Sequence, residues 1–380
     1  MTLDSVAIAA VTLLFLYPFV LYPALAALAG RRERGRKAAE DPASPLPSVA
    51  LVICALNEQK IIRQKLENSL ALDYPKDKLR IIVISDGSTD QTAAIAREFL
   101  ARGVTLIEQP KRRGKIANLN SVLAARGEDL LVLSDANVLY RSDALRRLAA
   151  RFSDPEVGCV SGKVILTDTT GLLDEPTGQY YSLEWFLQER ASRIYSMAGA
   201  DGAMYALRRE LFRPCPNDTI IEDFIIPMQV VRQGKRVVFE PAAVGWEEGA
   251  TSLREEFRRK VRIAAGSMQG LVRGSAWPRN APLRFWFVFL SHKLLRWLSP
   301  LVGLVILMLS SLTLDQFFSR LVVMGFAVMC GLALVRIATG WRNPLVSAPF
   351  YFLFGQVALA FGLLKGIAGR QTVLWAKADR

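Results

Sequence analysis

The sequence predicts an α/β domain with a mainly parallel sheet, joined at both ends to transmembrane helices. Short, continuous apolar runs alternate with helical segments between residues 48 and 281, a pattern typical of strands buried on both faces of a parallel sheet. Longer apolar segments occupy residues 1–30 and much of residues 282–380, and about 20 apolar residues suffice to cross a bilayer. We therefore expect a soluble central domain between two membrane regions.

Residues 1–30 form the first predicted transmembrane helix. A signal peptide would carry basic residues before its apolar core, whereas here the basic run Arg31–Lys37 follows the apolar segment. The positive-inside rule then places the N-terminus outside and the following residues in the cytoplasm. Residues 31–47 are predicted to be a basic linker.

Four strands are predicted next, with helices between them. They run over Val49–Cys54, Leu79–Ile84, Val104–Glu108 and Leu130–Leu133. A later strand is predicted at Arg236–Glu240. Polar residues follow the first four strands or begin the next helix, namely Asn57, Glu58, Asp86, Lys115 and Asp135. Ligands bind at the carboxyl ends of parallel strands, so these side chains are predicted to converge on one edge of the sheet. No dinucleotide fingerprint or P-loop follows the first strand, which excludes those two nucleotide sites.

The fourth strand ends in the segment Asp135-Ala136-Asn137. Side chains alternate along an extended chain, so Asp135 and Asn137 are predicted to project to one side and Ala136 to the other. An ordinary Asp/Asn turn is the alternative for this segment alone. The other polar strand ends favour a ligand site.

The C-terminal region, residues 282–380, is predicted to contain an interfacial helix and further membrane helices. Leu283–Trp297 mixes aromatic residues with cations, which is typical of a helix at the level of the lipid headgroups. Three apolar segments follow, at Pro300–Leu314, Leu321–Val335 and Leu345–Leu364. If all three cross, the cationic tail ends outside, against the positive-inside rule, so one segment is predicted to be interfacial or re-entrant.

The amino-acid composition indicates which classes of binding partner to expect. Lys and Arg number 48 against 35 Asp and Glu, and 51% of residues are hydrophobic. This combination favours a membrane protein that lies beside anionic lipid or binds an anionic substrate. No basic and aromatic motif of a known nucleic-acid module is present, so nucleic acid is not expected as a partner. The four cysteines are scattered and His292 is the only histidine, which argues against a zinc site or a disulfide framework.

Six motifs in order resemble those of the family 2 glycosyltransferases, in particular the membrane-integrated branch of hyaluronan, chitin, cellulose and poly-N-acetylglucosamine synthases. They are CALNE at 54–58, SDGSTD at 85–90, RGKIANLN at 113–120, SDAN at 134–137, GADGAMYALRR at 199–209 and IIED at 220–223. The resemblance covers roughly residues 48–270. It implies a GT-A fold, a nucleotide-sugar donor that is usually a UDP-sugar, Mg²⁺ or Mn²⁺, and inversion at the anomeric carbon.

The resemblance also implies roles on the donor side. Asp86 matches the carboxylate that contacts the nucleobase and ribose, and Asn57 and Glu58 would line the same pocket. Lys115 would lie near the diphosphate, where its charge offsets that of the leaving group. Asp135 matches the first carboxylate of the family's DxD motif, which holds the metal. Asn137 replaces the second, and its uncharged amide is expected to bind a cation more weakly.

On the acceptor side, the resemblance assigns a small-residue loop and an acidic pair. The loop contains Gly199, Asp201 and Gly202, and its glycines let the backbone approach a sugar closely. In the pair Glu222-Asp223, Asp223 is predicted to be the base that takes the proton from the attacking hydroxyl.

The Q-x-x-R-W motif of the processive synthases is only partly matched. Arg262 aligns with its Arg and could bind diphosphate, Arg259 takes the place of its Gln, and Ile263 takes the place of the Trp that contacts the acceptor sugar. A basic helix on anionic lipid is an alternative reading of this segment.

The expected function is thus transfer of a sugar to a growing or lipid-linked glycan by a membrane-bound enzyme with a cytoplasmic catalytic domain at residues 48–281. Transfer of a single sugar to a lipid, such as polyprenyl phosphate or diacylglycerol, is the alternative within enzymes. A non-catalytic membrane partner that retains the fold is the alternative from another class.

Overall fold

The computed structural model describes residues 3–29, 45–124, 127–167, 175–250 and 252–373. Most of the predicted linker at 31–47, with its basic run, lies outside these ranges, as do Lys377 and Arg380 of the tail. The described chain forms a central domain built on one eight-stranded sheet, and four long apolar helices.

The sheet has the strand order β3-β2-β1-β4-β7-β6-β8-β5. Its strands are β1 (Val49–Ala55), β2 (Leu79–Asp86), β3 (Val104–Gln109), β4 (Leu130–Asp135), β5 (Val138–Tyr140), β6 (Val157–Thr167), β7 (Met204–Arg208) and β8 (Arg236–Glu248). β1 to β4 are parallel neighbours, as predicted. Beyond β4 the sheet is mixed, because β7 runs antiparallel to both β4 and β6.

The second half of the sheet, β5 to β8, is larger than the sequence predicted. β5, β6 and β7 were not predicted, and β8 continues past Pro241 to Glu248 instead of ending at Glu240. β6 contains Gly158, Ser161, Gly162 and Lys163, so it shows neither a continuous apolar run nor a clean alternation. The glycines are required by close packing, because a Cβ at Gly158 or Gly162 would lie within 2.6 Å of a neighbouring side chain.

Helices cover both faces of the sheet. Those of the central domain are α3 (Ile62–Leu70), α4 (Thr92–Arg97), α5 (Lys115–Leu123), α6 (Ala144–Ala150), α7 (Glu175–Ile194), α8 (Glu222–Arg232) and α9 (Leu253–Val272). Two separate clusters of buried apolar side chains form, one on each face. β1 and β4 bury nearly every residue, which explains their uninterrupted apolar sequences.

The strand register brings the predicted site residues to one edge. Cys54 of β1 is level with Asp135 of β4 and with Ile84 of β2, two residues before Asp86. The polar residues after each strand therefore emerge at a similar height. The predicted convergence on the carboxyl edge of the sheet is present.

Four helices are long and apolar enough to cross a membrane: Asp4–Ala29, Leu283–Leu312, Phe317–Thr339 and Pro344–Ile367. The first comprises α1 (Leu3–Leu16), a π-helical turn (Tyr17–Leu21) and α2 (Tyr22–Ala29). The second comprises α10 (Leu283–Val288), a π-helical turn (Phe289–Leu294) and α11 (Leu295–Leu312), and the last two are α12 and α13.

The segment Leu283–Trp297, which was predicted as an interfacial helix, continues without a break into the second of these helices, and its place at the membrane surface stays a prediction. Three of its basic residues contact a carboxylate of the central domain. Nη1 of Arg296 lies 2.8 Å from Oε2 of Glu184 on α7, and His292 and Lys293 contact the same carboxylate. Burial would raise the pKa of the Glu184 carboxyl, but its three basic neighbours outweigh burial and hold that pKa well below its usual range.

α9 is packed between α8 and α13. A Cβ added at Gly266 of α9 would lie 2.7 Å from Ile221, at the start of α8. A Cβ at Gly362 of α13 would lie 2.7 Å from the carbonyl oxygen of Val261, and one at Gly366 would lie 2.6 Å from that of Ala265. Because these positions have no side chain, α9 can pack directly against α8 and α13. The C-terminal end of α13 therefore lies on the central domain.

Candidate active site

One lysine contacts both the carboxylate at the end of β4 and the acidic pair at the start of α8. Nζ of Lys115, the first residue of α5, lies 2.7 Å from Oδ1 of Asp135 and 2.6 Å from Oε1 of Glu222. Its distance to the carbonyl oxygen of Gly202 is 3.5 Å. Burial alone would lower the pKa of Lys115, but the two carboxylates outweigh it and hold the pKa well above its usual value. A permanent positive charge therefore lies between the end of β4 and the start of α8.

Asp86 positions that lysine. Its buried carboxylate accepts hydrogen bonds from the backbone of Arg113 at 2.7 Å and Gly114 at 2.9 Å. The side-chain amide of Asn118 donates to it at 2.7 Å. These three bonds fix the loop before α5 and its first turn, and hence the position of Lys115. The predicted contact of Asp86 with a nucleobase and ribose stays a prediction.

Asn57 and Glu58 tie the loop after β1 to the loop after β2. Asn57 has a φ of 56°, a left-handed conformation that Asn adopts more readily than most residues. Its Oδ1 accepts a hydrogen bond from the backbone of Thr89 at 2.7 Å, and the backbone of Glu58 donates to Oγ1 of Thr92 at 2.7 Å. Both predicted residues therefore lie at the carboxyl edge, where they brace the loop that follows Asp86.

The segment Asp135–Asn137, called here the metal edge, connects β4 to β5. Asp135 pairs with Lys115, and Nδ2 of Asn137 donates to Oε1 of Glu247 on β8 at 2.9 Å. An aspartate at position 137 would oppose that carboxylate, whereas the amide binds it, which gives a physical reason for Asn at this position. Glu247 was not predicted, because the sequence pattern ended β8 too early.

The metal edge fits a divalent cation that is shared with a substrate. Within the described ranges, no three or more His, Cys, Asp or Glu side chains are grouped to hold a metal by themselves. Mg²⁺ is commonly held by one or two carboxylates together with substrate phosphates. The Asp135 side chain is 37% exposed and pairs with Lys115 through Oδ1, and the Asn137 amide offers one further oxygen.

Asp223 lies in the first turn of α8, against the loop Gly199–Ala203, called here the glycine loop. The backbone of Ala200 donates to the carbonyl oxygen of Asp223 at 2.9 Å. A Cβ at Gly202 would lie 2.7 Å from Oδ2 of Asp223. The absence of a side chain at Gly202 therefore lets the loop and the candidate base lie in direct contact.

Two carboxyl groups, one in the glycine loop and one against it, have raised pKa values. Burial raises the pKa of Asp223 to about 6, with a further contribution from Glu222, while Lys115 and Arg262 oppose the shift. Burial likewise raises the pKa of Asp201 to about 7 against the hydrogen bond from the backbone of Ala203. Such shifts in a cluster of charged groups are typical of functional acids and bases.

Arg262 reaches this region from α9. Its Nη1 lies 3.4 Å from the carbonyl oxygen of Ile220, and its charge lowers the pKa of Asp223. The structure thus brings Arg262 to the acidic pair, and its predicted binding of diphosphate stays a prediction. Ile263, which takes the place of the acceptor-binding Trp, is 39% exposed and offers no aromatic ring.

The contact between Gly202 and Asp223 leads to a first prediction. Gly202→Ala is expected to displace the Asp223 carboxylate, and a misplacement of about 1 Å can cost on the order of 100-fold in turnover. Steady-state assays of sugar transfer measure the loss. Gly127→Ala is the control, because a Cβ there meets nothing within 4 Å. Equal activity of the two variants would contradict the close contact.

Comparison with known proteins shows which family this chain is similar to. The family described as "Glycosyltransferase like family 2" matches residues 47–266. A probable glycosyltransferase of Bacillus subtilis, YdaM, is 30% identical over 233 residues, which cover 58% of this chain and 56% of the relative. The poly-beta-1,6-N-acetyl-D-glucosamine synthase of Staphylococcus aureus strain COL is 27% identical over 239 residues, 60% of this chain and 56% of the relative. The chain thus spans little more than half the length of these relatives.

A solved structure matches the fold over almost the whole chain. The mannosyltransferase of Pyrobaculum calidifontis, in complex with GDP-Man and Mn²⁺, superposes with a TM-score of 0.77 at 22% identity. The match covers 97% of this chain and 100% of that one. The predicted GT-A fold with accompanying apolar helices is confirmed.

Proposed function

This chain belongs to glycosyltransferase family 2, and on that premise we propose that it is a membrane-bound inverting enzyme that moves a sugar from a nucleotide-sugar, a UDP-sugar in our proposal, to a growing or lipid-linked glycan. The product would serve cell-surface or exopolysaccharide synthesis. The premise is the family match and the kinship with the poly-N-acetylglucosamine synthase.

One observation carries this proposal. A single ammonium group, that of Lys115, lies within 2.7 Å of the metal edge and within 2.6 Å of the acidic pair. A donor diphosphate at the metal edge would therefore lie beside the base, with a positive charge between them. This arrangement suits a displacement in which negative charge builds on the leaving diphosphate.

The proposed reaction is a direct displacement. Asp223 takes the proton of the acceptor hydroxyl as its oxygen forms a bond to the anomeric carbon. The bond from that carbon to the diphosphate breaks on the opposite side, so the configuration inverts and the nucleoside diphosphate leaves. Lys115 and Arg262 offset the charge of the diphosphate, and the glycine loop holds the acceptor sugar close to the base. A divalent cation held by Asp135 and Asn137 would supply further charge neutralisation.

Removal of divalent cations is expected to abolish transfer. The metal edge contributes one carboxylate and one amide, so the cation is expected to exchange readily and to be restored by adding Mg²⁺ or Mn²⁺. Mn²⁺ is included because the Pyrobaculum calidifontis neighbour contains it. Transfer assays before and after exhaustive chelation measure the effect. Full activity after chelation would contradict a metal role for Asp135 and Asn137.

The pH dependence of transfer is expected to follow Asp223. A base acts only when ionised, and burial raises the pKa of this carboxyl to about 6. The rate at limiting substrate should therefore fall as the pH decreases through about 6 and level off above it. Profiles of kcat/KM between pH 5 and 8 test this. A constant rate from pH 7 to pH 5 would contradict a base with this pKa.

Single-sugar transfer to a lipid is the second candidate. The observation that favours it is Ile263, which leaves the acceptor side without the aromatic ring that processive synthases carry in the corresponding motif. Four helices suited to a membrane would place either kind of acceptor beside the catalytic domain. We propose a plasma-membrane location, inner membrane in a two-membrane cell, with the catalytic domain in the cytoplasm, where nucleotide-sugars are available.

A product separation tests the proposal. Full-length protein in lipid is incubated with a panel of radiolabelled nucleotide-sugars, including UDP- and GDP-sugars, with Mg²⁺ or Mn²⁺. Label in polymer supports glycan extension, and label in the lipid-soluble fraction supports transfer to a lipid. No transfer and no donor hydrolysis with any sugar would contradict an enzymatic role and support a non-catalytic membrane partner.

A further inference from the structure

A lysine lies fully buried beneath the metal edge. Lys65 on α3 has no exposed surface, and it is surrounded by the apolar cluster that lines its face of the sheet. Burial of an ammonium group is costly unless polar groups replace its water. In the described part of the chain, no carboxylate lies within ion-pair distance of Lys65. Its position therefore needs a reason other than a salt bridge.

The contacts of Lys65 lie on both sides of the metal edge. Nζ donates to Oγ of Ser134 at 2.7 Å, the residue directly before Asp135. It also donates to the carbonyl oxygen of Val138, the residue directly after Asn137. One ammonium group thus joins the end of β4 to the start of β5 and leaves the residues of the metal edge between its two anchors.

Further contacts from α3 hold β5 in the same place. Nζ of Lys65 lies 4.2 Å from the centre of the Tyr140 ring, a cation–π distance. Asn68, one turn along the helix, donates to the carbonyl oxygen of Tyr140 and accepts from its backbone nitrogen, both at 2.8 Å. Two polar side chains of one helix therefore fix the strand that follows the metal edge.

Lys65 and the metal edge also interact electrostatically. Burial lowers the pKa of Lys65, and the Asp135 carboxylate opposes this shift and so favours the charged form of the lysine. Lys115 contacts Asp135 from the open side, whereas Lys65 lies in the core beneath it. Asp135 is therefore placed between two lysines on different helices.

We propose that Lys65 is a positioning residue for the metal edge: by joining Ser134 to Val138 it sets the direction in which Asp135 and Asn137 present their oxygens to a divalent cation. This inference rests on the proposed function, because it assumes that the cation binds there with a donor diphosphate. Groups that orient metal ligands from behind typically change metal affinity by about 10- to 100-fold when they are removed.

The test measures Mn²⁺ binding directly. Full-length protein in lipid nanodiscs is titrated with Mn²⁺ in the presence of UDP, and in parallel of GDP, with free Mn²⁺ followed by electron paramagnetic resonance. Lys65→Met removes the ammonium group at similar volume, and we expect Mn²⁺ affinity to fall about 10- to 100-fold. Turnover at saturating Mn²⁺ should recover most of the wild-type value, because Lys65 does not touch the reacting atoms.

Lys78→Met is the matched control. Nζ of Lys78 donates to the carbonyl oxygen of Leu46 at 2.7 Å, a lysine–carbonyl bond of the same kind at the other end of β1. It should leave Mn²⁺ affinity unchanged even if it lowers stability. Ser134→Ala removes one anchor without removing the ammonium group, and a smaller loss of affinity is expected. If Lys65→Met fails to fold, the Mn²⁺ affinity of Ser134→Ala tests the positioning role instead.

The outcomes separate the two proposals. Wild-type affinity in folded Lys65→Met, or in Ser134→Ala when Lys65→Met does not fold, would overturn the positioning role. An equal loss in Lys65→Met and Lys78→Met would also overturn it, since that loss would reflect stability alone. Failure of the wild-type protein to bind Mn²⁺ with either nucleotide would instead overturn the metal-dependent function on which the inference rests.

Discussion

Asp223→Asn is expected to reduce sugar transfer by ~10²–10⁴-fold, the contribution typical of a positioned general base. The substitution keeps the size of the side chain and its place beside Gly202, so nucleotide binding in the presence of Mn²⁺ should stay near the wild-type value. Stability should not decrease, because burial raises the pKa of this carboxyl and so its charge destabilises the folded state at neutral pH. Transfer assays, nucleotide titration and thermal unfolding measure the three effects.

The control for this variant is Asp218→Asn, five residues earlier. Asp218 is an exposed carboxylate that pairs with Arg273, away from Lys115 and the glycine loop. We expect it to retain transfer. Full activity in Asp223→Asn, or an equal loss in both variants, would remove Asp223 from the role of base.

Lys115→Met is expected to cause the second large loss, on the order of 10²–10³-fold in turnover, as for the removal of one strong electrostatic donor at a leaving group. The substitution also leaves Asp135 and Glu222 without their shared cation, so two carboxylates face the donor diphosphate. Donor affinity should therefore fall together with turnover. Kinetic constants for the nucleotide-sugar, measured at saturating Mn²⁺, report both changes.

Lys111→Met separates this effect from a general loss of positive charge. Lys111 is exposed on the loop before α5, near the same edge of the sheet. Its removal should change donor affinity slightly and in a salt-dependent way. A loss in Lys115→Met no larger than that in Lys111→Met would contradict the bridging role of Lys115.

The first half of the sheet could be predicted because its residues obey a single rule. β1, β2 and β4 are buried on both faces, so their sequences are continuous apolar runs, and the polar residues after them mark the edge. β6 obeys no such rule, since Gly158 and Gly162 are there for close packing against side chains of β7 and α8. These requirements come from the tertiary structure, so a local sequence pattern cannot reveal them.

The candidate site was likewise predictable only in part. The sequence predicted that Lys115 and Asp135 converge on one edge of the sheet, and the two are in contact. It did not predict the contact of Lys115 with Glu222. It could not show that Asn137 pairs with Glu247, since 110 residues separate the two positions. Lys65 went unnoticed because a lysine in a helix is normally solvent-exposed, and only the fold shows that this one points into the core.

The contact of Gly362 and Gly366 with α9 has a consequence for topology. α1 and α2 pack against α7 at their C-terminal end through Tyr22 and Ala26, while Ser5 at the far end hydrogen-bonds Gln316 at 2.5 Å. Gln316 is thus remote from the catalytic domain, whereas Gly366 lies against it. If the apolar helices lie in a membrane, we therefore expect only one of α12 and α13 to cross it, as the sequence predicted for one apolar segment of this region. Lys365 and Arg370 would then lie on the same side as the active site, which the positive-inside rule favours and a crossing by every apolar segment would violate.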